Sequence, residues 1–332
     1  MPIGAQGTGT VAAAGSISVI IPARNAAGTI ARGLRSLAPD RNLIREILLI
    51  DDASDDDTAG TAKLAALQHT LPLTVLEANV RNAGAARNIG LRHAGGDLIF
   101  FLDADDELFR GGLRRLFDVL KSDQKAQLAI GGNIRRTEGR TDKLKLPHSY
   151  THSRNENARN YITNKMYPIA MGSALAVRDI AAAIRFPEDL QLDEDTCYWA
   201  AVLATANVVT VDKEVLYYNL DEAKMANRFV AYPGREFTRI AAALNRLVAH
   251  GLDRQALNWR KSWVAMRMVR QLVLQHQYPS AQSLMRVVMA HPEFRSSIRV
   301  LRYSTRIRVG LLANRFRASR SAVSNTNEAS EA

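Results

Sequence analysis

A single cysteine, Cys197, occurs in 332 residues. That excludes an intramolecular disulfide and a cysteine-rich zinc site, and it fits a reducing compartment. Long apolar runs are also missing: none approaches the roughly 20 residues that a bilayer-spanning helix needs. Residues 1–15 are rich in Gly, Ala and Thr and contain no basic residue. A secretory signal needs a positive segment before its apolar core, so this stretch reads as a disordered lead-in. The usual phosphate cradles are absent. No G-x-G-x-x-G follows the first apolar run, where Pro22-Ala23-Arg24-Asn25 stands instead, and no G-x-x-x-x-G-K-[ST] occurs. Both absences argue against a dinucleotide dehydrogenase and a P-loop ATPase. None of the seven histidines falls in an H-E-x-x-H motif; His69 and His93 lie in predicted helices and read as surface or packing residues. No zinc-finger, RRM-like or KH-like signature is present, so no nucleic-acid partner is expected.

Apolar residues make up 47% of the chain and charged residues 23%, ordinary for a globular protein with an ample core. The length suits one large domain, or one domain with an extension. The net charge of +11 points to anionic partners, such as nucleotides or an acidic membrane surface.

The most informative stretch runs from Asp97 to Glu107. An uninterrupted apolar segment, Leu98-Ile99-Phe100-Phe101-Leu102, ends in four acids within five positions. The apolar part has the character of a strand buried on both faces in a parallel sheet. The acids then sit at its carboxyl end, where open α/β sheets bind ligands. Asp103 and Asp105 project to one side of an extended chain, and with Asp106 they offer hard oxygen ligands for Mg²⁺ or Mn²⁺. A solvated acidic turn capping the next helix would account for one or two of these acids, not for all of them.

In chain order, Ile17 to Ile21 is a predicted strand and Ile30, Leu34 and Leu37 mark a helical face. Glu46 to Ile50 and Leu73 to Leu76 are strands, with helices through Leu67 and from Asn82. This alternation predicts right-handed crossovers and a doubly wound, mostly parallel sheet. Residues 137–160, polar and basic, read as a mobile loop over the site. Gly172 to Val177 reads as a strand, Leu192 to about Ala206 as a helix, and Val208 to Val211 and Val215 to Tyr218 as two short strands. Beyond Pro233 the periodicity is helical throughout, at Ile240, Leu244, Val264, Met268, Leu272 and Leu284. The organisation expected is an α/β domain over 16–226, a helical basic region over 227–318 and a disordered tail over 319–332.

Two acid clusters close predicted strands, Asp51-Asp52 and Asp103-Ala104-Asp105-Asp106, and a third, Asp193-Glu194-Asp195, opens a later helix. Acid clusters with interspersed arginines such as Arg24 and Arg87 describe a site for a metal-bound diphosphate.

Four segments in series carry a resemblance: Ser18 to Asn25, Leu49 to Thr58, Gly84 to Gly90 and Phe101 to Asp106. In order and spacing they resemble the family 2 glycosyltransferases, and the likeness covers residues 17 to about 220. It implies a GT-A fold, with a Rossmann-like, mostly parallel sheet, that binds a nucleoside-diphosphate sugar, UDP-linked in most members, together with Mn²⁺ or Mg²⁺. By the same likeness Pro22, Ala23, Arg24 and Asn25 line the nucleotide pocket. Arg24 departs from the more usual aromatic or small residue. Asp52 matches the acid that contacts the base, with Asp51 beside it, and Arg87 matches a basic residue near the diphosphate. Asp103 and Asp105, around Ala104, are the DXD pair, with Asp105 the first choice for metal ligation and Asp106 supporting. Glu194-Asp195 resembles the later acidic pair whose aspartate is the general base, which makes Asp195 the base of an inverting transfer. An acidic first helix turn favoured by the macrodipole would look the same. Tyr217-Tyr218-Asn219-Leu220-Asp221 stands where the family often carries an Arg/His/Ser-rich motif, and matches it poorly.

Residues 294–317 interleave arginines with apolar residues and contain no acid. A helix of this kind suits an anionic membrane surface or equally a basic face packed on the helical region. The reading is an enzyme that adds sugar to a glycan or lipid-linked acceptor of a cell-surface or exopolysaccharide, cytoplasmic and peripheral on the inner membrane face. The rivals are a non-catalytic nucleotide-sugar-binding scaffold and a nucleotidyltransferase.

Overall fold

The computed structural model describes residues 16–147, 150–166, 168–220, 232–290, 302 and 304–312. The expected lead-in, the tail after 318 and most of 294–317 lie outside the described residues. The chain divides into two compact units, Met1–Arg228 with Arg246–Asp253, and Phe229–Asn245 with Arg254–Ala332.

The first unit is built on a sheet of nine strands among the described residues. Its parallel half comprises β1 (Ile17–Ala23), β2 (Ile44–Asp52), β3 (Leu73–Ala78) and β4 (Leu98–Phe101). These strands lie in the order β3-β2-β1-β4, all parallel. β4 is buried along its whole length, as its unbroken apolar run requires. Three helices connect these strands: α1 (Ile30–Leu37), α2 (Thr58–Gln68) and α3 (Ala83–His93). On α1 the buried residues Ile30, Gly33, Leu34 and Leu37 recur at helical spacing; burying each of the large ones is worth roughly 1.5–3 kcal/mol. α3 lies so close to the sheet that a Cβ at Gly90 would collide with the Ile20 side chain. The order reverses at β1, with β2 on one side and β4 on the other, so a crevice opens at their carboxyl ends.

The other half of the sheet holds β5 (Glu107–Leu108), β6 (Leu128–Thr137), β7 (Lys143–Lys145), β8 (Ala174–Val177) and β9 (Val208–Leu220). β8 joins β4 and β6 antiparallel, and β9 runs parallel to β6. Three further helices are α4 (Gly112–Ser122), α5 (Arg154–Ile162) and α6 (Arg178–Ala183), followed by α7 (Glu194–Thr205).

Two expectations need correction. The two short strands predicted over 208–218 are one continuous strand. The polar Asp212-Lys213-Glu214 looks like a turn, but β9 absorbs it as a bulge: Gly131 pairs with Val211 and Gly132 already with Glu214. Residues 137–160 are not simply a loop. β7 pairs with β6, and α5 begins where Ser153 accepts a hydrogen bond from Glu156 N–H. Its buried Asn157, Ala158, Tyr161 and Ile162 form a stripe that the polar composition conceals.

The second unit is helical, as its periodicity predicts. α8 (Pro233–Arg246) buries Phe237, Ile240 and Leu244. α9 (Arg254–Leu274) buries Val264, Met268 and Leu272, and α10 (Tyr278–Ala290) buries Leu284 and Val288. Residues 304–312 are helical. Among the described residues no helix is long and apolar enough to cross a membrane.

Candidate functional site

A pocket of about 400 Å³ opens at the carboxyl ends of β1, β2 and β4. The structure brings Pro22, Ala23, Arg24, Asn25, Asp52, Arg87, Asp103, Ala104 and Asp105 into its wall. Asp51, Asp106 and Asp195 are not in that wall. Glu194, of the acidic pair that opens α7, is, and so are Thr29, Arg81, Asn82 and Gln191, which the sequence did not single out as site residues.

The turn after β1 is stitched to the turn after β2. Asn25 N–H donates to Ser54 Oγ at 3.0 Å, and Asn25 Oδ1 accepts from Asp55 N–H at 2.7 Å. Ala26 N–H donates to Thr58 Oγ1 at 2.8 Å and Ala27 N–H to Asp56 Oδ2 at 3.1 Å. The Thr58 hydroxyl bond holds the Asp56 carboxyl below its ordinary pKa. Most acids of the Asp51–Asp57 run therefore shape loops. Asp51 Oδ1 accepts from Ser54 N–H at 3.3 Å, and Asp57 caps α2.

Asp52 is buried and accepts from three successive backbone amides: Val80 and Arg81 at 2.7 and 2.8 Å on Oδ1, and Asn82 at 2.8 Å on Oδ2. It thereby fixes the loop before α3. Asn82 caps that helix through Ala85 N–H at 2.8 Å and donates to Leu190 O at 2.6 Å. The cap sets the phase of α3 and directs Arg87, buried, into the pocket wall.

Arg87 Nη2 donates to Asp103 Oδ1 at 2.8 Å and Nη1 to Glu194 Oε1 at 3.3 Å, and its guanidinium lies 5.3 Å from the Phe186 ring centre. Burial opposes its charge, but Asp103 and Glu194 outweigh that and raise its pKa. Burial, with Asp195 beside it, pushes the Glu194 carboxyl up to about 7, against the opposing pull of Arg87. Asp195 stands at the first turn of α7, near enough to act on both Arg87 and Glu194. Its Oδ1 accepts from Thr196 N–H at 2.6 Å.

The acidic turn after β4 is gripped from two sides. Asp105 O accepts from Arg32 Nη2 and from Asn219 Nδ2, each at 2.8 Å. Asp106, fully buried, accepts from Asn219 N–H at 2.8 Å. Burial, reinforced by Asp103, raises its pKa well above the ordinary carboxylate range. Asp106 thus anchors the turn to β9 from beneath, while Asp103 and Asp105 face the pocket. Among the described residues no group of three or more His, Cys, Asp or Glu side chains is arranged to hold a metal ion. Asn219 lies in the poorly matching segment of the sequence, where only the fold shows its use.

Left-handed backbone gathers around the site at non-glycine residues: Asn25 (φ 51°), Ala53 (φ 53°), Arg81 (φ 49°) and Asp193 (φ 63°). Such conformations persist where surrounding structure enforces them, and they concentrate at functional sites.

Solved structures share this architecture. Staphylococcus aureus TarS 1–349 in complex with UDP-GlcNAc matches with a TM-score of 0.58 and 18% identity, over 82% of this chain and 81% of that one. The mannosyltransferase PcManGT from Pyrobaculum calidifontis, in complex with GDP-Man and Mn²⁺, matches with a TM-score of 0.52 and 18% identity, over 90% and 86%. The fold is GT-A, with a helical region following it. In sequence, the succinoglycan biosynthesis protein ExoU of Rhizobium meliloti is 42% identical over 109 residues, 32% of this chain and 31% of that protein. S. aureus poly(ribitol-phosphate) beta-N-acetylglucosaminyltransferase TarS is 26% identical over 226 residues, 66% of this chain and 38% of that protein. The matches thus span about a third of the length of these relatives. The glycosyl transferase family 2 profile matches residues 18–183, half of the sequence, and the chain belongs to that family.

Proposed function

We propose that this chain is a metal-dependent inverting glycosyltransferase that moves a sugar from a nucleoside-diphosphate sugar to a hydroxyl group. The donor is a UDP-sugar, and the acceptor a glycan or lipid-linked glycan of a cell-surface or exopolysaccharide. The observation that carries this reading is Arg87, a buried, permanently charged group that joins Asp103 of the acidic turn to Glu194 of α7 inside one pocket. The similar structures in complex with UDP, UDP-GlcNAc and GDP-Man support a nucleotide-sugar in a crevice of this kind.

The donor set fits the implied metal. Asp105 and Asp103 offer hard oxygens on the pocket wall and would hold Mg²⁺ or Mn²⁺. Held by these residues, such an ion would neutralise charge on the departing diphosphate. Asp106 supports that pair from below, by fixing the turn rather than by ligation. Pro22, Ala23, Arg24 and Asn25 form the nucleotide wall, and Asp52 shapes the side on which the base lies. Arg87 adds a fixed positive charge beside the diphosphate, pre-oriented by its two carboxylate partners so that little reorganisation accompanies bond breaking. Asp195 takes the acceptor hydroxyl proton as that oxygen attacks C1 from the face opposite the leaving group, which inverts the anomeric centre. Glu194 holds Arg87 and occupies the wall between these two parts.

Residues 294–317 serve as a peripheral contact with the inner membrane face, where a lipid-linked acceptor would be presented. Calorimetric titration of UDP with and without Mn²⁺ tests the site. Binding that strengthens with Mn²⁺ in wild type, and not in Asp105→Ala, is expected. UDP binding of equal strength in both proteins, with no response to Mn²⁺, would leave the scaffold reading instead.

A further inference from the structure

The excess charge of the chain is concentrated in one part of it. Residues 254–317 contain 13 Arg and Lys against a single acid, Glu293, while the rest of the sequence holds 31 basic and 32 acidic residues. The second unit therefore carries all of the surplus.

Within that unit lies a cavity of about 840 Å³ lined by Trp263, Met266, Arg267 and Arg270 of α9 and by Arg302, Thr305 and Arg306. Positions 263, 266, 267 and 270 repeat at i, i+3, i+4 and i+7, and 302, 305 and 306 at i, i+3 and i+4. Two helical stripes thus face the same space. At such positions helices that merely pack present apolar residues; here four of the seven are arginines, and among the described residues no Asp or Glu lines the cavity. Trp263 is already a cation-binding surface, with Arg260 and Arg267 placed 4.6 and 4.8 Å from its ring centre. The volume falls in the ordinary range of small-ligand sites.

We propose that this cavity binds a phosphate- or diphosphate-bearing ligand, with Arg267, Arg270, Arg302 and Arg306 as its anion contacts. Guanidinium groups match phosphate oxygens in pairs, giving short, charge-assisted hydrogen bonds. Trp263, with Met266, supplies an apolar surface for whatever carries the phosphate, and Thr305 adds a hydroxyl. The inference does not depend on the transferase reading, because the cavity shares no lining residue with the nucleotide pocket.

The test is a fluorescence titration of the full chain with inorganic pyrophosphate. Trp263 emission should change on binding, and the change should vanish in Trp263→Phe, which assigns the signal to this cavity. In R267Q/R270Q/R302Q/R306Q the midpoint should rise at least ~10-fold, since each charge-assisted bond contributes on that order. Should that variant fail to fold, the wild type titrated from low to high NaCl decides: an ionic site weakens several-fold, and a midpoint indifferent to salt overturns the proposal. Flotation with phosphatidylglycerol and phosphatidylcholine vesicles separates the sources. Selective binding to phosphatidylglycerol that the glutamines abolish identifies a lipid headgroup; a pyrophosphate response without vesicle binding identifies a soluble phosphate. Either supports the site. A folded glutamine variant that titrates like wild type, or a wild type that answers neither probe, contradicts it.

Discussion

Arg87 Nη2 lies 2.8 Å from Asp103 Oδ1, and this contact joins α3 to the turn after β4. The arginine is buried, so the contact is not a surface ion pair of the kind that contributes little. Removing it leaves Asp103 and Glu194 facing each other across the pocket wall without a cation between them. Arg87→Ala should cost roughly 3 kcal/mol of stability and weaken UDP at least ~10-fold. Arg87→Lys, which keeps the charge but cannot reach both carboxylates, should recover part of the stability and less of the affinity. Denaturant unfolding and calorimetry read the two effects separately.

Asp52→Asn addresses the second buried acid. The amide of asparagine offers one acceptor oxygen and two donors where three backbone N–H groups converge. Its stability should fall by roughly 2–4 kcal/mol, because hydrogen bonds to a charged group are lost and donors are left facing donors. If Asp52 served only to contact a base, the variant would lose UDP affinity at unchanged stability.

Asn219→Ala removes the side-chain grip on Asp105 O but keeps the backbone N–H that Asp106 accepts. A stability loss of about 1 kcal/mol is expected. The Mn²⁺ requirement should rise with it, since Asp105 is held less firmly. Mn²⁺ titration of UDP binding measures this; an unchanged Mn²⁺ midpoint would make the clamp irrelevant to the acidic turn.

The Glu194 carboxyl, raised to about 7 chiefly by burial, gives a pH signature. With a folded pKa above the unfolded value, the native state binds more protons between the two. The contribution of this group is therefore greatest at low pH and is lost as pH rises through about 7. Wild type should lose stability relative to Glu194→Gln from pH 5 to pH 8, by a few kcal/mol at most. Parallel melting curves at the two ends of that range check the sign.

Much of this site was legible in the sequence. A run such as Leu98 to Leu102 has no stable place outside a buried strand, and the acids after it must then stand at the strand's end. Pro22 to Asn25, the end of β1 and the turn after it, follow from the same logic. Other features depend on contacts between distant segments. That Asp106 turns inward depends on Asn219, more than a hundred residues later, arriving beside it through β9. That Asp52 serves three amides depends on where the loop before α3 closes. Arg81 and Gln191 reach the pocket through loop geometry with no periodic signal. Of the Glu194-Asp195 pair, helix phase at α7 brings Glu194 into the wall, which pair spacing alone does not reveal.

UDP release from a panel of UDP-sugars with Mn²⁺ tests the donor site completed by Asp105 and the assignment of Asp195 as base. Wild type should release UDP with at least one of them. Asp105→Ala should lose both Mn²⁺-dependent binding and release, and Asp195→Asn should bind the donor like wild type while release falls at least ~100-fold, the lower end for a general base. Full release by either variant would contradict the role given to that residue.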